Sequence, residues 1–325
     1  MLRTLSTMQT MAYSKKIRKY LLILLIAGWA ITLAYKHFSH KVPEKHLYHD
    51  NRILMGTFWE VTSPVKEASG IVFTEVARLE QLLSKYNPTS EISILNRTGK
   101  LKVSPDTFYV IKKSKEFYQL TDGAFDITVE PLVELWGFSN LKTKVPTTEE
   151  INSTLKIIGS DKIILHENDS VVEFKFPKMK IDLGGIAKGF ALDYAIKELK
   201  KNNINNCLIN AGGQVYALGN KFASPWKIAI KDPRKPGVSE TLELKNQSAS
   251  TSGDYEQFFL KNGKRYCHII DPKTGYPVNS GITSVTIIDD SSLNADALST
   301  AVFISGEDGV EMLKNKFPET KFYIK

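Results

Sequence analysis

The chain has 325 residues, 42% hydrophobic and 24% charged, which excludes a disordered or fibrous protein and leaves room for one large or two modest domains. Its net charge of +8 is placed at one end, because residues 1–50 hold eight Lys or Arg against two acids. A nucleic-acid binder would carry that excess on its folded part, so nucleic acid is not an expected partner.

In chain order, "KKIRK" (15–19) comes first, and then "YLLILLIAGWAITLAY" (20–35) runs without a charge. At helical rise this run covers roughly 24 Å, enough to span a bilayer if Lys19 and Lys36 snorkel. Two readings stand: a signal-anchor, or a cleaved signal peptide ending near Gly28-Trp29-Ala30. Both leave residues 1–19 as a basic cytoplasmic N-terminus and export the chain beyond Lys36. No cysteine lies nearby, which excludes a cysteine-linked lipid anchor. Residues 36–50 read as a polar stalk, and 51–325 as the folded domain.

Within that domain, "LMGTFWEVTS" (54–63) alternates as a strand does. "SGIVFTEVARLEQLLSKY" (69–86) is an amphipathic helix, and Ser90 with Ser93 can cap a short helix after Asn87-Pro88. A third helix spans 104–121, with Ser104 as N-cap and Pro105 in its first turn. An apolar run broken by Pro131 comes next, then a polar stretch, 139–150, that suits an insertion. The pattern predicts a hairpin over 162–176, a strand at "KIDL" (180–183) and a helix over "GIAKGFALDYAIKELKKNN" (185–203). Beyond it are strands around glycine turns at 207–219 and 226–233, then "RYCHIID", "ITSVTIID", a helix over 292–303, a further short helix and "KFYIK". Strands and helices mix without regular βαβ alternation, which predicts an α+β or mixed α/β fold rather than a doubly wound sheet.

Cys207 and Cys267 both lie in apolar runs, where buried free thiols are expected. Four of the six histidines precede residue 50, which leaves only His166 and His268 for the body, so a zinc site lacks its ligands. Any metal here is expected to be a hard ion held by oxygen. Seven polar, glycine-rich clusters interrupt the apolar elements, more than turns require. In "DLGGIAKG" (182–189) an acid, glycines and a lysine open a helix; the segment reads either as a tight turn or as an anion site. In "NADALST", Asp296 and Thr300 share a helical face and offer two hard oxygens to Mg²⁺, or else cap and back-bond their own helix. His268, beside Asp271, is either a satisfied core histidine or a base.

Taken together, the clusters carry a resemblance. "MGTFWEVT" (55–62), "YNPTSEISILN" (86–96), "DGAFDITVEPLVELWGF" (122–138), "KIDLGGIAKGFALD" (180–193), "INAGGQVYALG" (209–219), "STSGDYEQFF" (250–259), "HIIDPKTGYPV" (268–278), "SVTII" (284–288) and "ADALSTAVFISG" (295–306) stand in this order. The chain resembles, over about residues 52–325, the ApbE family of exported FAD:protein FMN transferases. The resemblance implies an α+β, T-fold-like architecture of mixed sheets with packed helices. It implies Mg²⁺-dependent cleavage of the FAD pyrophosphate, transfer of FMN to a Thr or Ser hydroxyl of an acceptor flavoprotein, and release of AMP. By motif, Met55, Tyr86 and Ala124-Phe125-Asp126 would contact the flavin nucleotide, with Asp182, Lys188 and Ile269 beside His268. Mg²⁺ would take the carbonyl of Gly185 with Asp296 and Thr300. Family members often have Ala or Thr where Gly185 stands, and a carbonyl ligand can come from glycine equally. His268 or Asp271 would accept the hydroxyl proton. Two other readings are a Mg²⁺-dependent FAD pyrophosphatase and a protein that only holds FAD. The implied acceptors are subunits of membrane redox complexes of the Na⁺-translocating NADH:quinone reductase or Rnf type. The implied location is the inner (cytoplasmic) membrane, with the domain facing the periplasm or cell exterior.

Overall fold

The computed structural model describes residues 23, 26–30, 46–140 and 142–325. The chain divides into two compact units, 1–46 and 47–325. In the first, Ile23 and residues 26–30 are helical; the basic segment 1–19, the rest of 20–35 and residues 36–45 lie outside the described residues. Among the described residues no helix is long and apolar enough to cross a membrane.

The second unit opens with a hairpin of β1 (Tyr48–Leu54) and β2 (Thr57–Ser63). Its turn is Met55-Gly56, both at positive φ (49° and 73°), the geometry that matches the twist of two-residue hairpins. The single strand expected over 54–63 is thereby split, and β1 draws on residues from the expected stalk.

Helix α1 (Ala68–Leu83) buries Val72, Phe73, Val76, Leu79 and Leu83 at helical spacing. Ser90 caps α2 (Glu91–Thr98) and Ser104 caps α3 (Pro105–Leu120), each by accepting from the backbone N–H three residues on. Pro131 sits in the first turn of α4 (Glu130–Trp136), where its missing N–H costs nothing, so it starts a helix instead of breaking a run. Thr147 and Glu150 form a capping box for α5 (Thr148–Leu155), which begins at the end of the polar stretch 139–150. Strands β3 (Lys100–Lys102), β4 (Ile163–His166) and β5 (Val171–Phe174) make a small sheet in the order β3-β5-β4.

"KIDL" is extended but belongs to no sheet. Asn96 replaces the missing strand, accepting from Ile181 N–H at 2.7 Å and donating to its carbonyl at 2.9 Å. Asp182 N–H donates to the Ile127 carbonyl at 2.8 Å. Helix α6 (Ala187–Lys201) begins soon after.

The remaining strands are β6 (Cys207–Ala211), β7 (Gln214–Leu218), β8 (Trp226–Lys231), β9 (Val238–Leu244), β10 (Gln247–Gly253), β11 (Phe258–Lys261), β12 (Lys264–Cys267), β13 (Ser284–Asp289) and β14 (Lys321–Ile324), with α7 (Ser292–Lys314) before the last. Among the described residues, seven of the fourteen strands form one antiparallel sheet, β1-β2-β6-β7-β10-β13-β14. One face of it packs on α1, α6 and α7 through residues such as Trp59, Ile209, Tyr216 and Ile287. Their neighbours Ala217, Ala249 and Ile288 point the other way and pack on Trp226, Ile230, Leu242 and Leu244 of the β8–β9 hairpin. Central strands β7 and β13 are therefore buried at every position. A third cluster joins Leu132, Trp136 and Ile151 of α4 and α5 to Ile270, with Phe259 and Tyr266 of β11 and β12 against it.

In the sequence β10 reads as a polar loop cluster, yet it is a strand. Its small residues let α7 approach the sheet: Ser252 and Ser299 hydroxyls meet at 2.9 Å, and Ser248 donates to the Val215 carbonyl at 2.9 Å. Both cysteines are buried free thiols, as their apolar surroundings in the sequence imply, and burial pushes the Cys207 thiol up to about 12.

Candidate active site

A cleft of about 1150 Å³, counting the space open to solvent, lies where the 124–129 segment, the 182–188 turn, β10, residues 268–270 and α7 converge. Tyr86, Ala124, Phe125, Asp126, Asp182, Gly185, Lys188, His268, Ile269, Asp296 and Thr300 all line it. Residues brought together from well over half the chain thus share one cavity. Met55 lines a second cavity, which meets the first at Lys188, Gly212, Thr251, Glu256, Gln257 and His268. Asp271 lines neither; its oxygens accept from Lys273 N–H at 2.8 Å and the Thr274 hydroxyl at 2.9 Å, closing a turn.

Asp296 stands in the second turn of α7 and is buried. Its Oδ2 accepts from Gly189 N–H at 2.9 Å, and its Oδ1 lies 3.8 Å from Lys188 Nζ. Burial raises the Asp296 pKa, with Lys188 working in the opposite direction. One turn later Thr300 Oγ1 stands 3.5 Å from Ser252 Oγ, against Gly185: a Cβ at that glycine would sit 3.1 Å from the hydroxyl. Asp296 and Thr300 therefore offer a buried carboxylate and a hydroxyl, to which the resemblance adds the Gly185 carbonyl. All are hard oxygens, which fits Mg²⁺, and a cation beside Asp296 Oδ1 would offset the cost of burying its charge. Among the described residues there is no group of three His, Cys, Asp or Glu, the arrangement a transition metal would need.

Two close approaches set this geometry. Gly189 admits α7, since a Cβ there would meet the Ser292 carbonyl at 2.3 Å and the Asp296 Cβ at 2.8 Å. Asp193, a turn further along α6, accepts from Ser292 N–H at 2.7 Å, Leu293 N–H at 3.1 Å and the Ser291 hydroxyl at 2.8 Å. It caps the neighbouring helix and fixes the register of α6 on α7.

His268 Nδ1 lies 3.2 Å from the Gln257 carbonyl, which can only accept. Nδ1 therefore carries the hydrogen and Nε2 is left as the acceptor nitrogen. Desolvation in the cleft pulls the His268 pKa below its ordinary value, so the ring is neutral at pH 7. Asp126 is buried and structural in its bonding: Oδ1 accepts from Thr128 N–H and Oγ1 (2.8 and 2.7 Å) and from Ser160 Oγ (2.6 Å). Tyr86 stands at the rim, 72% exposed, with the Lys85 ammonium 5.2 Å from its ring centroid.

Lys85 and Gln214 also line the cleft and escape a reading of the sequence. Lys85 binds Glu130 and Asp182, and Gln214 donates to the Ser292 carbonyl at 3.0 Å. Lys85 stands beside Tyr86, and Glu130 lies within "DGAFDITVEPLVELWGF", but nothing in their spacing says that they meet.

The model of the ApbE family matches residues 55–324. The chain belongs to the ApbE family. Among ApbE relatives, the FAD:protein FMN transferase of Haemophilus influenzae is 37% identical over 238 residues, 70% of this chain and 69% of that protein. The FAD:protein FMN transferase of Vibrio cholerae is 36% identical over 269 residues, 78% of this chain and 80% of that one. The ApbE protein of Thermotoga maritima superposes with a TM-score of 0.80 at 36% identity, covering 86% of this chain and 94% of its own. The ApbE flavin transferase of V. cholerae superposes at 0.75 with 30% identity, covering 86% and 97%. The α+β architecture of antiparallel sheets and packed helices is that of these ApbE structures.

Proposed function

We propose that this chain is an FAD:protein FMN transferase: the cleft holds FAD, its pyrophosphate is broken, FMN passes to a Thr or Ser hydroxyl of an acceptor protein and AMP leaves. The observation that carries this reading is the convergence of Asp296, Thr300, Gly185 and His268 in one cavity. Phosphoryl transfer asks a protein mainly to position its reactants and to meet charge on phosphate oxygens. When bound, Mg²⁺ would be held by Asp296, Thr300 and the Gly185 carbonyl and would supply that charge.

The chain's own residues do the rest. Phe125 and Ile269 give a dry wall for a ring, and Tyr86 a stacking face at the rim. Lys188, shared by both cavities, faces the phosphates where the cavities meet. A dinucleotide touching Tyr86 and Met55 spans both cavities, which puts the bond to be broken near that junction. His268 Nε2 takes the proton from the acceptor hydroxyl as oxygen attacks phosphorus, and the P–O bond to AMP breaks. Asp271, turned into its own loop, supplies no base there.

The acceptors are subunits of membrane redox complexes, of the Na⁺-translocating NADH:quinone reductase or Rnf type, and the enzyme works at the inner membrane on the exported side. The basic N-terminus and the uncharged 20–35 run after it support that location.

The test incubates residues 47–325 with FAD, Mg²⁺ and an acceptor domain bearing the target threonine, with Asp296→Ala alongside. Wild type is expected to add the mass of FMN, less water, to the acceptor and to release AMP in equal amount; Asp296→Ala is expected to do neither. AMP without any mass gain would favour a pyrophosphatase. FAD bound and left whole would reduce the protein to a flavin carrier.

A further inference from the structure

The proposed transfer chemistry uses neither Lys85, which lines the cleft, nor Glu130, yet their side chains are only 10% and 5% exposed. Lys85 Nζ donates to Glu130 Oε2 at 2.5 Å, to Asp182 Oδ2 at 2.9 Å and to Ser139 Oγ at 3.3 Å. Ser139 closes the group by donating to Glu130 Oε1 at 2.9 Å. Burying one ammonium with two carboxylates is costly, and a fold that only needed stability would do better with apolar side chains. The backbone around Lys85 is also fixed, since its carbonyl accepts from Ser93 Oγ at 2.8 Å and the Ser84 carbonyl from Ser90 Oγ at 2.5 Å.

Asp182 passes the constraint on. While Oδ2 is held by Lys85, Oδ1 accepts from Gly184 N–H at 2.8 Å. The Gly184 carbonyl in turn accepts from Lys188 Nζ at 3.2 Å, and the next residue, Gly185, lies against Thr300. The Leu183 carbonyl closes the turn by accepting from Ile186 N–H at 3.0 Å and Ala187 N–H at 2.8 Å, and because a glycine pair has no side chains to hold it, the Asp182 and Lys188 bonds add the remaining constraint.

We propose that Lys85 is a positioning residue: its ammonium pins Asp182, and Asp182 sets where the Gly184-Gly185 backbone stands against Thr300. Lys85 touches neither the reacting phosphate nor the hydroxyl; it acts through the turn. Glu130 keeps Lys85 turned toward Asp182 and balances its charge. The catalytic consequence rests on the transferase reading, whereas the geometric one does not.

Amide hydrogen exchange across 183–189 in the unliganded protein tests the geometric claim. Four proteins are compared: wild type, Lys85→Met, Lys85→Arg, and Lys85→Met combined with Glu130→Gln. In Lys85→Met the segment is expected to exchange about tenfold faster or more, while amides of α1 and β13 keep wild-type rates. Lys85→Arg, which can still span both carboxylates, should recover most of the protection. The double variant removes the uncompensated acid, so its Tm should return toward wild type while the turn stays unprotected. In parallel, Mg²⁺ titration of FAD binding, followed by flavin fluorescence, should show apparent metal affinity reduced about tenfold in Lys85→Met, as for other supports of metal ligands. Unchanged protection in Lys85→Met would overturn the proposal. So would a double variant that regains protection together with Tm, because Lys85 would then only balance charge. A wild-type protein that fails to transfer FMN would sink the transferase reading and leave the exchange result standing.

Discussion

At the scale of single residues, the cleft separates acids and bases by what surrounds them. Asp126 is occupied by three donors and holds its loop, and Asp271 closes a turn. His268 alone combines a place in the cavity, an unused acceptor nitrogen and a pKa lowered by desolvation. A base works in its deprotonated form, so kcat/KM should rise with pH below the His268 pKa and level off above it. The breakpoint should fall below the ordinary histidine value of 6.5. His268→Ala should remove that limb and lower kcat by about 10²- to 10⁴-fold. A pH–rate profile measured with FAD and acceptor decides it, and an alanine variant that kept the limb would assign it to another group.

At the scale of elements, the geometry around Asp296 is a matter of how α6 meets α7. Gly189 lets the helices close to a distance that any side chain would forbid, and Asp193 locks the start of α7 onto α6 through three donors. Removing that carboxylate leaves the Ser292 and Leu293 amides without their partner in a largely buried place. Asp193→Ala should therefore cost about 1–3 kcal/mol of stability, read by urea denaturation. It should also weaken apparent Mg²⁺ affinity, because Asp296 moves with α7. Loss of stability with metal affinity unchanged would show that the register of α7 does not depend on this contact. Beyond the site α7 bends at Gly306 (φ 71°, ψ −152°), close to where the sequence predicts that one helix stops and a short one begins.

At the scale of the whole molecule, the described residues of the 47–325 unit contain both cavities and the three hydrophobic clusters. Residues 1–46 hold most of the net positive charge. A chain beginning at Leu47 should accordingly keep the full chain's Tm within about 2 °C and its rate on a soluble acceptor, with two-state melting as the control. Only its rate on a membrane-embedded acceptor should fall. A truncated protein that melts much earlier would place part of the core's support in the N-terminal segment.

The sequence by itself determined the features that depend on neighbours in the chain. Caps at Ser90 and Ser104, the amphipathic face of α1, the buried thiols and the α+β class are local patterns, and nine ordered segments identified the family. The tertiary structure alone decided the features that depend on distant partners. "KIDL" has strand-like residues but finds Asn96 in place of a neighbouring strand, so its backbone is satisfied without a sheet. β10 has serines where a strand former is expected, and becomes a central strand because small residues are what α7 can pack upon. Lys85, Glu130 and Asp182 lie 45 and 52 residues apart along the chain and share one buried ammonium. Spacing carries no trace of that meeting, because contacts of such separation are chosen by the packing of the entire core.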